Sequence, residues 1–166
     1  MIWYDVCSIH YEEQTMQSIK TILVPTDFSE CSTVATRTAI EFAKQFDARL
    51  EIVFVLEPAQ YGIPEAYLLY PQSQMAAVDT EVRDSLARVQ KSAVDAGISS
   101  TSTVLLEGYV PDTIVARASE IHADLIVLGT HGRHGIAHAL LGSVAEQVVR
   151  RAGCPVLTVR SQDTKG

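Results

Sequence analysis

The chain has 166 residues, 47% of them hydrophobic, about one domain's length with enough apolar side chain to fill one core. Acidic residues outnumber basic ones 20 to 13, and the net charge of -7 argues against a nucleic-acid module or a partner membrane surface, since both rest on cationic contacts to phosphate. No run of 18 apolar residues occurs, so the sequence predicts no bilayer-spanning helix.

Residues 1–17 lack the basic start and apolar stretch of a secretory signal, and the chain is expected to stay in the cytoplasm. They fit no strand or helix scheme and are expected to be an N-terminal extension with little functional role, Met16 itself making a sensible start. Against that stand Ile2, Trp3, Tyr4 and Val6, which are apolar enough to dock on the domain or on a second subunit. The three cysteines, Cys7, Cys31 and Cys154, are odd in number and form no CxxC, which fits a reducing compartment and packed thiols rather than a disulfide framework.

The first strand is Ile19 to Val24, stopped by Pro25 and followed by the polar turn Thr26-Asp27-Phe28-Ser29. Ala35, Ala39, Phe42, Ala43 and Phe46 then recur at helical spacing. Leu50 to Leu56 reads as a continuous apolar strand. Glu57 to Gln74 is irregular, rich in proline and in Tyr61, Tyr67 and Tyr70, and serves either as a lid or as packing against a partner. A second helix carries Val78, Val82, Leu86, Val89 and Ala93 on one face and ends at Gly97. Thr101 to Leu106 is a short, half-polar strand. A third helix starts near Pro111 or Asp112, Ala123 to Leu128 is a further apolar strand, a fourth helix starts at Ser143, and Pro155 to Val159 is the last strand. Strict alternation of strands and helices predicts a single α/β domain over residues 18–160 with a parallel sheet and helices on both faces, leaving a tail at 161–166.

The informative segment is GTHGRHGIAHALLGS, Gly129 to Ser143, which follows an apolar strand and precedes a helix. In an open parallel sheet the ligand crevice lies at the carboxyl ends of the strands. Glycines let main chain approach a ligand, and the exposed N–H groups of a helix start attract anions. Phosphate binding is therefore expected here, although neither a GxxxxGK[ST] loop nor a GxGxxG after the first strand is present.

The spacing Gly129-x2-Gly132-x9-Gly142-Ser143 resembles the nucleotide-binding branch of the universal stress protein family. KTILVPTDFSECS, Glu107-Gly108, ADLIVLGTHGR and CPVLTV resemble that family as well, so the likeness extends over residues 19 to 160. It implies a Rossmann-like five-stranded sheet in the order 3-2-1-4-5, with ATP lying where the first and fourth strands adjoin. By the same resemblance Pro25, Thr26 and Asp27 line the adenine and ribose end, and Val55 touches the adenine. Gly129, Thr130, His131, Gly132, Arg133, His134 and Gly135 wrap the ribose and phosphates, and Gly142, Ser143, Val144 and Ala145 offer hydroxyl and N–H groups to the phosphates. Mg²⁺ is expected on the phosphates themselves, relieving their repulsion from an acidic protein. A homodimer through Pro155 to Val159 is implied too, since an apolar sheet edge needs cover. One departure is Gly108-Tyr109-Val110-Pro111, where the family often has Gly-x-Pro.

Plainer roles stand beside these. Ser143-Val144-Ala145-Glu146 is also a capping box, Asp27 also a turn residue, Val55 also a core residue, and Arg133 also a solvated cation. His131, His134 and His138 match no standard zinc spacing, so no protein-held metal is expected. The sequence thus points to a stress-response or signalling protein that uses bound ATP as a conformational or partner-binding switch, with no catalytic residue assigned. A slow ATPase or phosphotransfer enzyme and a nucleotide-free scaffold are the alternatives.

Overall fold

The computed structural model describes residues 18–57, 72–131 and 141–160, with backbone alone for 72–77. The chain runs β1 (Thr21–Pro25), α1 (Glu30–Phe46), β2 (Arg49–Leu56), α2 (Gln72–Asp95), β3 (Thr101–Glu107), α3 (Val110–Glu120), β4 (Leu125–Gly129), α4 (Ser143–Arg151) and β5 (Val156–Val159). All strand pairs are parallel, in the order β3-β2-β1-β4-β5. This is the expected sheet, and its order reverses between β1 and β4.

Alternation along each strand sorts the core into two layers. Ile22 and Val24 of β1, Ile52, Phe54 and Leu56 of β2, and Leu125 and Val127 of β4 pack with Ala35, Ala39 and Ala43 of α1 and with Val82 and Leu86 of α2. Leu23, Val53, Ile126 and Leu128 pack on the other face with Ile114 and Ala118 of α3 and with Ala145 and Val148 of α4. Helices therefore cover both faces, as the near-continuous apolar strands require.

Three helices end in the same way. A left-handed residue follows each, Asp47, Gly97 or His122. The next residue then sends its N–H back five positions: Ala48 to Ala43, Ile98 to Ala93 and Ala123 to Ala118. Each of those donors is a buried apolar residue, so the helix end and the lead into the next strand are sealed together. Gly97 thus takes the place expected of it.

Some boundaries differ from the sequence expectation. α2 begins at Gln72, inside the stretch read as irregular. α3 begins at Val110 with Pro111 in its first turn, where a missing N–H costs no intrahelical bond. β3 extends to seven residues.

The apolar run of β2 hides one charge. Glu51 is buried on it and takes Arg117 of α3 in a two-pronged ion pair, Nε to Oε1 at 2.6 Å and Nη2 to Oε2 at 3.1 Å. Ser102 Oγ of β3 donates to the same carboxylate, and Glu120 also pairs with Arg117. These bonds, Glu51 foremost, hold the guanidinium charged and raise its pKa above the usual arginine value. At the strand starts Asp124 Oδ2 accepts from the N–H groups of Lys20 and Thr21, tying β1 to the lead into β4.

Candidate functional site: the crevice at the strand reversal

All five strands point the same way, so Pro25 and Gly129 end on one edge of the sheet. Pairing of β1 with β4 is confined to Ile22 with Leu125 and Leu23 with Ile126. Beyond those pairs each exit leans outward. Thr26 N donates to Val53 O of β2 at 2.9 Å, whereas Thr130 N donates to Val159 O of β5 at 2.8 Å. The two chains part, and a crevice opens at the reversal.

The β1–α1 turn forms one wall. Thr26 is buried, its hydroxyl donating to Ser32 Oγ and accepting from Phe28 N. Asp27 Oδ1 accepts from Ser29 N at 3.0 Å. Ser29 caps α1, its hydroxyl accepting from Ser32 N. The start of α1 therefore serves its own donors. Gly129 lets this helix start press on the end of β4, since a Cβ there would lie 2.9 Å from Cys31 main chain and side chain.

The opposite wall is different. Gly142 is the N-cap of α4, with no side chain to serve the first turn. Its N–H donates to Thr130 O at 2.7 Å, and a Cβ on it would meet that oxygen at 2.8 Å. Ser143 is consequently the first helical residue rather than the cap, which corrects the capping-box alternative. It is exposed, and among the described residues its hydroxyl has no partner. The N–H groups of Ser143, Val144 and Ala145 likewise have no acceptor among the described residues, although Ala145 is only 3% exposed. Three donors and a hydroxyl thus point out of one helix start, where the helix dipole adds positive potential.

The structure brings Thr26, Asp27, Gly129, Thr130, His131, Gly142, Ser143, Val144 and Ala145 to this one edge, with Pro25 at the end of β1. Thr130 is buried, and its hydroxyl lies 3.0 Å from His131 Nδ1. Val55 sits near the end of β2, half-buried against the α3–α4 layer, and Leu106 and Val110 pack on the same layer. Sequence reasoning passed over those two, whose one signal is their place where β3 gives way to α3. Gly132, Arg133, His134, Gly135 and His138 lie outside the described residues, as do residues 1–17, most of the tyrosine-rich stretch and the tail from 161. Among the described residues no group of three or more His, Cys, Asp or Glu is placed to hold a metal ion, and no helix is long and apolar enough to cross a membrane.

The model of the universal stress protein family matches residues 18–160. Universal stress protein MJ0531 of Methanocaldococcus jannaschii is 39% identical over 142 residues, covering 85% of this chain and 82% of its own. Among solved structures, hypothetical protein MJ0577 superposes with a TM-score of 0.78 at 25% identity, covering 89% of this chain and 99% of its own. A universal stress protein in complex with cAMP superposes with a TM-score of 0.67 at 28% identity, covering 87% of this chain and 99% of its own. The chain belongs to the universal stress protein family.

Proposed function

We propose that this member of the universal stress protein family binds an adenine nucleotide, ATP foremost, in the crevice between β1 and β4, and uses it as a conformational or partner-binding switch. The supporting observation is the set of three N–H groups at Ser143, Val144 and Ala145 that have no acceptor among the described residues, beside an exposed hydroxyl. Those groups would take phosphate oxygens. Self-capping by Ser29 directs the phosphates to α4 rather than α1. Pro25, Thr26, Asp27 and Val55 would then face the ribose and base, with residues 129–135 as the expected contacts to the sugar and phosphates. Mg²⁺, carried by the phosphates, would offset the net charge of -7. The relative solved with cAMP supports an adenine ligand.

In this reading residues 18–160 act as one nucleotide-binding unit of a cytoplasmic homodimer, residues 1–17 and 161–166 are appendages, and a partner protein senses the loaded state. The test is calorimetry on the full chain with ATP, ADP, AMP and cAMP, each with and without Mg²⁺. Micromolar affinity, about -8 kcal/mol, is expected for ATP with Mg²⁺. Gly142→Val should weaken it by about tenfold or more, because a side chain there collides with Thr130 O at a fixed distance. Ser143→Ala should remove one hydrogen bond, about 0.5–1.5 kcal/mol. No binding heat with any of the four nucleotides would sink the proposal.

A further inference from the structure

Phe28 has a φ of +61°, in the left-handed region. Asp47 and His122 share that region, but each follows a helix end, where such residues commonly sit. Phe28 precedes a helix, and a bulky side chain there is a strained exception. Its ring stacks on Phe54 of β2, with centroids 5.1 Å apart and planes 16° off parallel, and packs against the α1–α2 layer. Two bonds close the backbone around it: Phe28 N to Thr26 Oγ1 at 3.1 Å, and Ser29 N to Asp27 Oδ1 at 3.0 Å. The ring is therefore the one apolar anchor of a turn whose other members are polar crevice residues.

We propose that Phe28 is a positioning residue for the nucleotide site: its ring, clamped on Phe54, holds the left-handed turn that keeps the Asp27 carboxylate at the crevice. The proposal rests on the nucleotide reading for its ligand, but the turn can be judged without one. Ordinary φ at residue 28 would swing Asp27 and Ser29 apart and break the Oδ1 bond. The ring offsets the steric cost of the conformation, and the conformation places the carboxylate.

The experiment compares Phe28→Tyr, Phe28→Gly and Phe28→Ala in the full chain. ATP affinity with Mg²⁺ is measured by calorimetry, and amide exchange at Phe28 and Ser29 by NMR. Tyrosine keeps the ring and should bind as the parent does. Alanine keeps the steric conflict and loses the anchor, so binding should weaken by about tenfold, the factor matching the left-handed penalty of an L-residue. Glycine loses the anchor but accepts positive φ, so it should fall between the two. Ser29 amide protection should follow the same order. A role in packing alone predicts the reverse, with glycine worse than alanine. Alanine binding as tightly as glycine, or Ser29 protection unchanged in Phe28→Ala, would overturn the proposal. Should Phe28→Ala fail to fold, glycine folding and keeping Ser29 protection supports it, and glycine failing too overturns it. A parent chain that takes up no nucleotide defeats the reading of the site, and the order of Ser29 protection then decides the role of Phe28.

Discussion

Two glycines set how closely main chain meets main chain at the crevice. At Gly129 the crowding atoms are the Cα-linked carbonyl carbon and Cβ of Cys31, and at Gly142 the oxygen of Thr130. Neither obstacle is the tip of a flexible side chain, so neither can swing aside. Gly129→Ala should therefore push α1 off the end of β4 and cost about 1–3 kcal/mol, measured as a shift of the urea midpoint at constant slope. An unchanged midpoint would mean that the helix start yields freely. These glycines stood out in the sequence, one at the end of an apolar strand and one just before a helix, where main chain can come close. Ser143 could be read in two ways, as a phosphate contact or as a cap, since S-x-x-E beginning at 143 fits a capping box whether or not Gly142 has already taken that position. Phe28 was not legible: nothing in DFS marks a phenylalanine with positive φ, and only the stack on Phe54 accounts for it.

Among elements, the parallel sheet and the covering of both faces followed from the alternation of apolar strands and helices, and the strand order from the family resemblance, whereas the polar links between elements followed from neither. Glu51 lies inside LEIVFVL and looks like an interruption in an apolar strand. Its meaning depends on Arg117, 66 residues away, and no local pattern joins the two. The Glu51 side chain is 5% exposed and the Arg117 side chain 19%. Removing Glu51 takes away the main counter-charge of Arg117 and leaves it the exposed Glu120. Glu51→Ala should thus cost about 3 kcal/mol, while the double replacement Glu51→Leu with Arg117→Met should recover most of that loss. Equal destabilisation by the single and double variants in chemical denaturation would show that the pair contributes by geometry rather than by mutual charge compensation.

For the whole molecule, β5 forms one edge of the sheet. Its inner side pairs with β4: Pro155 O and Val159 O accept from Ile126 N and Thr130 N. In a parallel strand N–H and C=O of one residue point the same way, so Val156 and Thr158 present theirs to the free edge. If the proposed dimer forms by strand pairing, Thr158→Pro should abolish it and leave the β4–β5 ladder intact, because the lost N–H belongs to the outer side. Sedimentation velocity should then show a monomer with parental secondary structure. A dimer that persists would place the contact elsewhere.

The first turn of α4 carries a consequence for the proposed nucleotide switch. A helix start whose amides have no acceptor among the described residues is a weak seam, and an anion seated there would mend it. The gain in folding free energy then tracks ligand level, about 2.7 kcal/mol at a hundredfold excess over the dissociation constant. Cellular energy charge would in this way be transcribed into mechanical firmness along α4 and the strand that follows it.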